Sequence, residues 1–169
     1  IASGDRSALE SIANHVVGST WAPAQRAQAL LAIGDLAAAL RVYAEGPPDA
    51  PGAVDDLIND DWVWRLPHVV NHAHLRIAAG DAGGRGALHA LVAREVALRA
   101  EGIVNVDVLY LVASAHAVMG DQERALECLE EAVTRGWRHA WWARHDWNWS
   151  GLGDDVRYRE LLGRGGQAD

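Results

Sequence analysis

Along the chain, Leu9, Ile12, Ala13 and Val16 recur at i, i+3, i+4 and i+7, the spacing of one face of an α-helix. The pattern predicts a helix over 5–17. Gly18 ends it, and Ser19, Thr20 and Pro23 open a second helix running to about Ile33, with proline suited to the first turn. Gly34-Asp35 makes the next turn, because glycine tolerates the left-handed C-terminal position and aspartate caps the following N-terminus. A third helix follows from Leu36 to Glu45, and then Gly46-Pro47-Pro48-Asp49-Ala50-Pro51-Gly52 breaks the pattern. Beyond it the residues predict a short helical piece over Val54–Asn59 and a helix from about Asp61 to Ala79, which Pro67 either starts or kinks. Four glycines over Gly80–Gly86 predict an extended turn before a helix over about Ala87–Ala100. Asn105–Val118 and Gln122–Thr134 read as the clearest hairpin: Leu109, Val112, Ala113 and His116 face Ala125, Leu126, Leu129, Ala132 and Val133. A last helix, about Asp154–Leu162, carries Val156, Tyr158, Leu161 and Leu162. No sustained period-two alternation appears, so the fold class is all-α.

Four of these turns share a signature. Gly4-Asp5, Gly34-Asp35, Gly80-Asp81 and Gly120-Asp121 are each followed by Ala-Leu and, three residues later, another apolar side chain: Ile12, Tyr43, Leu91 and Leu129. Recurrence at intervals of a few tens of residues marks stacked supersecondary units. Each hairpin has an apolar stripe that it cannot bury alone, so neighbours stack and the last unit needs a cap.

Composition narrows the picture further. The 169 residues suffice for one domain with a real core. The net charge of −8 sits mostly at the front, where residues 1–61 hold nine acids against three arginines. An acidic field repels phosphate backbones, which argues against nucleic acid as a partner. Lysine is absent, and the single cysteine, Cys128, excludes an intrachain disulfide. No stretch approaches the roughly 20 apolar residues that cross a bilayer. The chain opens on Ile1 with no signal peptide, which reads as an excised piece of a larger, cytoplasmic protein.

The hairpins resemble the tetratricopeptide repeat family, whose unit is a helix-turn-helix of about 34 residues. The match is best at Ala113, Gly120-Asp121, Ala125 and Ala132. It is looser at Ala27, Leu30, Ala39 and Tyr43, and around Gly80 it keeps Ala73 while inserting two residues. Spacings of 30, 46 and 40 residues between the turn glycines make these degenerate repeats. The tail Asp146-Trp147-Asn148-Trp149, Leu152 and Asp155 to Leu162 is similar to a closing segment of bacterial repeat proteins, with Trp147 and Val156 where that segment has prolines. The resemblance implies an α-α superhelix, a right-handed solenoid with hairpins at about 20–46, 61–100 and 105–135 and a Trp-rich cap at 137–163. It also implies the C-terminal region of a bacterial regulatory or signalling protein. In that family the first helix of each pair lines the concave surface. By position this puts Trp21, Gln28 and Leu31, then Val70, Asn71, His74 and Ile77, then Asp107, Tyr110 and Ser114 in the groove. The partner-binding set is Trp21, Gln28, Asn71, His74, Tyr110 and Ser114, with a protein segment or an upstream domain of the same polypeptide as partner. The groove positions that carry basic residues in carboxylate-clamping members hold Trp21, Pro67 and Asp107, which excludes that clamp.

Other candidates read more simply as structure. His68, His72 and His74 fall within seven residues, but His74 points to another side of the helix than the other two, so these are structural histidines and no metal is expected. His116 likewise takes an aromatic packing position. Trp137, Trp141, Trp142, Trp147 and Trp149 read as the core of the cap, with Trp137 and Trp141 sharing one helical face. Ser114 and His116 are too close along one helix to form a nucleophile–base pair, and Gly83-Gly84-Arg85-Gly86 is a turn and no phosphate cradle. The expected function is a non-catalytic, cofactor-free interaction or scaffold module. A small-molecule or metal sensor built on the Trp and His residues is the alternative.

Overall fold

The computed structural model describes residues 26, 27, 29, 30, 33, 35–45 and 66–166. Among them every regular element is helical: α1 (Leu36–Glu45), α2 (Leu66–Ala78), α3 (Gly83–Ala100), α4 (Val106–Met119), α5 (Gln122–Thr134), the one-turn α6 (Ala140–Ala143), a 3-10 turn (Trp147–Leu152) and α7 (Val156–Gly165). The expectations for helix 5–17, the breaker at 46–52 and the piece at 54–59 lie outside the described residues.

The Gly-Asp signature has one structural meaning at each described copy. The aspartate N–H closes back onto the carbonyl five residues earlier: Asp35 to Leu30, Asp81 to Arg76 and Asp121 to His116, at 2.8, 2.8 and 2.9 Å. Its carboxylate then accepts a backbone N–H of the next helix, from Ala38, Gly83 and Arg124 respectively. Gly80 and Gly120 make this possible with φ of +81° and +85°, a region that glycine enters without strain. The same closure ends α3 and α5, where Ile103 bonds Leu98 and Trp137 bonds Ala132.

Consecutive helices pack on one another, α1 on α2, α2 on α3, α3 on α4 and α4 on α5, while α2 also reaches α4. In α4, Asn105 caps the N-terminus by accepting from the Asp107 and Val108 N–H groups at 2.8 and 3.2 Å. From Val108 to Ala115 every residue of that helix is buried, as expected of a helix covered on all sides. The main core joins α2–α5 to the cap, through Leu88, Leu91, Leu109, Leu129, Trp137, Trp149 and Leu161. A second cluster, Ala27, Ala29, Leu30, Ala39 and Val42 with Leu75, belongs to the first hairpin.

Two expectations need correction. The glycine-rich stretch is no extended turn: α3 begins at Gly83 and takes Gly84 and Gly86 into its first turns. The reason is packing, since a Cβ on Gly84 would sit 2.5 Å from the Ala73 carbonyl oxygen and 2.9 Å from Ile77 Cγ1. The helix can lie on α2 only without a side chain there. Secondly, Trp137 and Trp141 do not share a helical face. Residues 137–139 are not helical and α6 begins only at Ala140, leaving Trp137 2 % and Trp141 63 % exposed. His116 lies at the end of the α4 stripe with its side chain largely buried and its Nδ1 3.4 Å from the Asp121 carboxylate. Pro67 sits in the first turn of α2 and so starts that helix.

Candidate functional site

Where α2 and α4 face the same way, their side chains meet the chain's own segment Asp146–Trp149. Asn71 and His74 lie one turn apart on α2; Tyr110 and Ser114 lie one turn apart on α4. Those four of the six expected groove residues are brought together, and what they grip is the start of the 3-10 turn. Trp21 and Gln28 lie outside the described residues. Asn71, Tyr110 and Ser114 are buried beneath the turn and His74 is half-buried.

The hydrogen bonds of this seam can be oriented from two groups that only donate. Trp147 Nε1–H gives to Asn71 Oδ1 at 3.1 Å, which fixes the Asn71 oxygen as acceptor. Asn148 Nδ2 donates to the same oxygen at 2.7 Å and to Asp146 Oδ1 at 2.7 Å. Its own oxygen therefore faces His74 Nδ1, 2.9 Å away, so Nδ1 must carry the proton. At the inner end Trp149 Nε1–H is shared between Ser114 Oγ at 3.1 Å and the Tyr110 hydroxyl at 3.2 Å. Ser114 donates onward to the Tyr110 carbonyl and Tyr110 to Asp146 Oδ2, at 3.1 and 2.7 Å. Asp146 Oδ1 also accepts the Asn148 backbone N–H at 3.0 Å and so starts the turn as an Asx cap. Every bond agrees with its neighbours, the condition under which buried polar networks specify one geometry.

Stacking runs alongside. The His74 and Trp147 rings are 3.7 Å apart and 5° from parallel. Tyr110 stacks on Trp137 at 4.4 Å, and Trp149 on Tyr158 at 5.0 Å, in the range where aromatic pairs contribute beyond their area. Tyr158 donates its hydroxyl to the Ala143 carbonyl at 2.8 Å, tying α7 to α6.

Protonation follows from the surroundings. Burial pushes the Tyr110 hydroxyl well above its usual range, and the Asp146 charge adds to this, so Tyr110 stays a donor at neutral pH. Burial raises the Asp146 carboxyl, opposed by the bonds from Tyr110 and Asn148. Burial lowers His74, opposed by its bond to Asn148, which keeps the ring neutral. Among the described residues these polar atoms are engaged with one another: Ser114 Oγ bonds the Tyr110 carbonyl and the Trp149 N–H, and His74 Nδ1 is directed at the Asn148 amide.

Among the described residues no group of three His, Cys, Asp or Glu side chains converges as a metal site; the His68 side chain lies outside that set. No described helix is long and apolar enough to cross a membrane. Sequence reasoning placed the groove side chains at one face but missed Asp146, Trp147, Asn148 and Trp149 as what fills it. The available signal was the Asx position of Asp146 before an amide flanked by two indoles. No family model, curated protein or solved structure matches the chain.

Proposed function

We propose that the chain is a non-catalytic interaction module, a tetratricopeptide-like stack of hairpins that holds a protein segment or a neighbouring domain over the α2/α4 face. One observation carries this reading. Side chains one turn apart on each of two successive first helices, Asn71/His74 and Tyr110/Ser114, together grip an irregular stretch of polypeptide by rings and side-chain hydrogen bonds. Amides that pair with donors and rings that supply area are how interfaces anchor peptides. The acidic charge of the chain disfavours nucleic acid as the occupant.

A display selection of random peptides on the whole chain tests the reading. Enriched binders are expected to lose at least about tenfold in affinity with His74→Ala or Gln28→Ala, as anchor residues do. Binders indifferent to both substitutions, or no enrichment, would set it aside.

A further inference from the structure

The two tryptophans of the seam are held very differently. Trp149 is 2 % exposed and belongs to the main core, stacked on Tyr158 with its N–H shared by Ser114 and Tyr110. Trp147 is half-buried and lies outside that core. One face of its ring covers His74, its N–H reaches Asn71 Oδ1, and it packs against the first-hairpin cluster that Leu75 completes. Around Trp147 there is therefore a slot with an imidazole wall, an apolar wall and one acceptor at its floor.

We propose that this slot is a recognition pocket for a tryptophan side chain presented by a protein partner, and that Trp147 is its resident occupant, which the partner's indole replaces. The inference rests on reading the α2/α4 face as an interaction surface, and it names what that surface recognises. The walls select a flat ring, because His74 is held in plane by its bond to Asn148 and offers a face rather than an edge. The floor selects a ring N–H. Asn71 Oδ1 already takes one hydrogen bond from Asn148 and has its second position filled by the indole; a ring without a donor leaves that buried oxygen half-satisfied. Exchange requires only that Trp147 swing out. Asn148 remains tied to Asp146 and Asn71, and Trp149 remains in the core. A resident occupant lowers the apparent affinity for the incoming ring by the fraction of time that it occupies the slot.

The test uses the whole chain with Trp147→Ala and three probes, N-acetyltryptophanamide, indole and its N–H-lacking isostere indene, followed by NMR at the Asn71 side-chain amide and the His74 ring. The variant is expected to keep its helical circular dichroism and to bind the first two probes saturably. Indene should bind about tenfold more weakly, the wild type should bind at least about tenfold more weakly, and Asn71→Ala or His74→Ala added to the variant should abolish binding. A folded variant whose Asn71 and His74 signals stay still with all three probes would overturn the proposal. So would equal binding of indole and indene. Should Trp147→Ala not fold, indole N–H exchange in the wild type decides: Trp147 exchanging at least about tenfold faster than Trp149 supports an occupant that leaves, and equal rates refute it. Selected peptides that still depend on His74 while lacking tryptophan would refute the pocket and leave the broader interaction reading standing.

Discussion

Gly84→Ala and Gly86→Ala, two residues apart in one helix, should move stability in opposite directions. At Gly84 an added Cβ would lie 2.5 Å from the Ala73 carbonyl oxygen, 2.9 Å from Ile77 Cγ1 and 3.1 Å from Arg76 Cβ. Carbon and oxygen approach one another to about 3.3 Å in ordinary packing, so α3 must shift off α2 by several tenths of an ångström. The nearest obstacle is backbone, which cannot rotate away. Overpacking of this kind costs about 1–3 kcal/mol, and the helix propensity gained by replacing glycine returns at most about 1 kcal/mol. A net loss of about 1–2 kcal/mol is expected. At Gly86 nothing lies within 4 Å of the added carbon, so only the propensity gain remains, about 0.5–1 kcal/mol of stabilisation. Urea unfolding followed by circular dichroism separates the two through the midpoint at unchanged m-value. If Gly84→Ala raised the midpoint, or if both variants moved it the same way, the close approach of α2 and α3 would be wrong.

Three further outcomes are expected. Trp149→Phe keeps an aromatic ring but removes the pyrrole half of the buried indole and with it the N–H that Ser114 Oγ and the Tyr110 hydroxyl share; a loss of at least about 1–3 kcal/mol should appear as a fall of several degrees in melting temperature. Gly120→Ala meets no atom within 4 Å but must hold φ at +85°, so it should cost about 1 kcal/mol by chemical denaturation and leave the helical signal intact. The raised Asp146 carboxyl binds its proton more tightly folded than unfolded. Its contribution is therefore complete below the ordinary carboxylate value of 3.8 and is lost as pH rises through the folded value. Urea midpoints measured from pH 4 to pH 7 should thus fall for the wild type relative to Asp146→Asn. A difference constant across that range would show that Asp146 is not raised.

The local grammar of the chain was readable because it is enforced by neighbours in sequence. Gly80-Asp81 and Gly120-Asp121 close one helix and cap the next within a handful of residues, and Leu36–Glu45 begins and ends where its pattern does. Errors arose where distant packing overrode that grammar. Glycines 83, 84 and 86 look like a turn by propensity, yet contact with Ala73 and Ile77 makes the absent side chain at Gly84 the reason that a helix fits. Trp141 was placed beside Trp137 by counting helical steps, but the chain leaves helical geometry at Gly136. The site was half-legible for the same reason. Register on α2 and α4 gathers Asn71, His74, Tyr110 and Ser114, whereas the bonds from Trp147 and Asn148 to Asn71 span 76 and 77 positions, and no local spacing encodes them.

The unbroken burial of Val108–Ala115 also has a consequence for the order of synthesis. This greasy rod leaves the ribosome before α5, the 3-10 turn and α7, the elements that later wrap it, have been made. Until roughly Leu162 has emerged it presents bare hydrocarbon on at least one flank, the condition in which nascent chains adhere to one another. Stalled or prematurely terminated products ending between 119 and 146 should therefore be the aggregating species, even though the finished domain shields that helix from water.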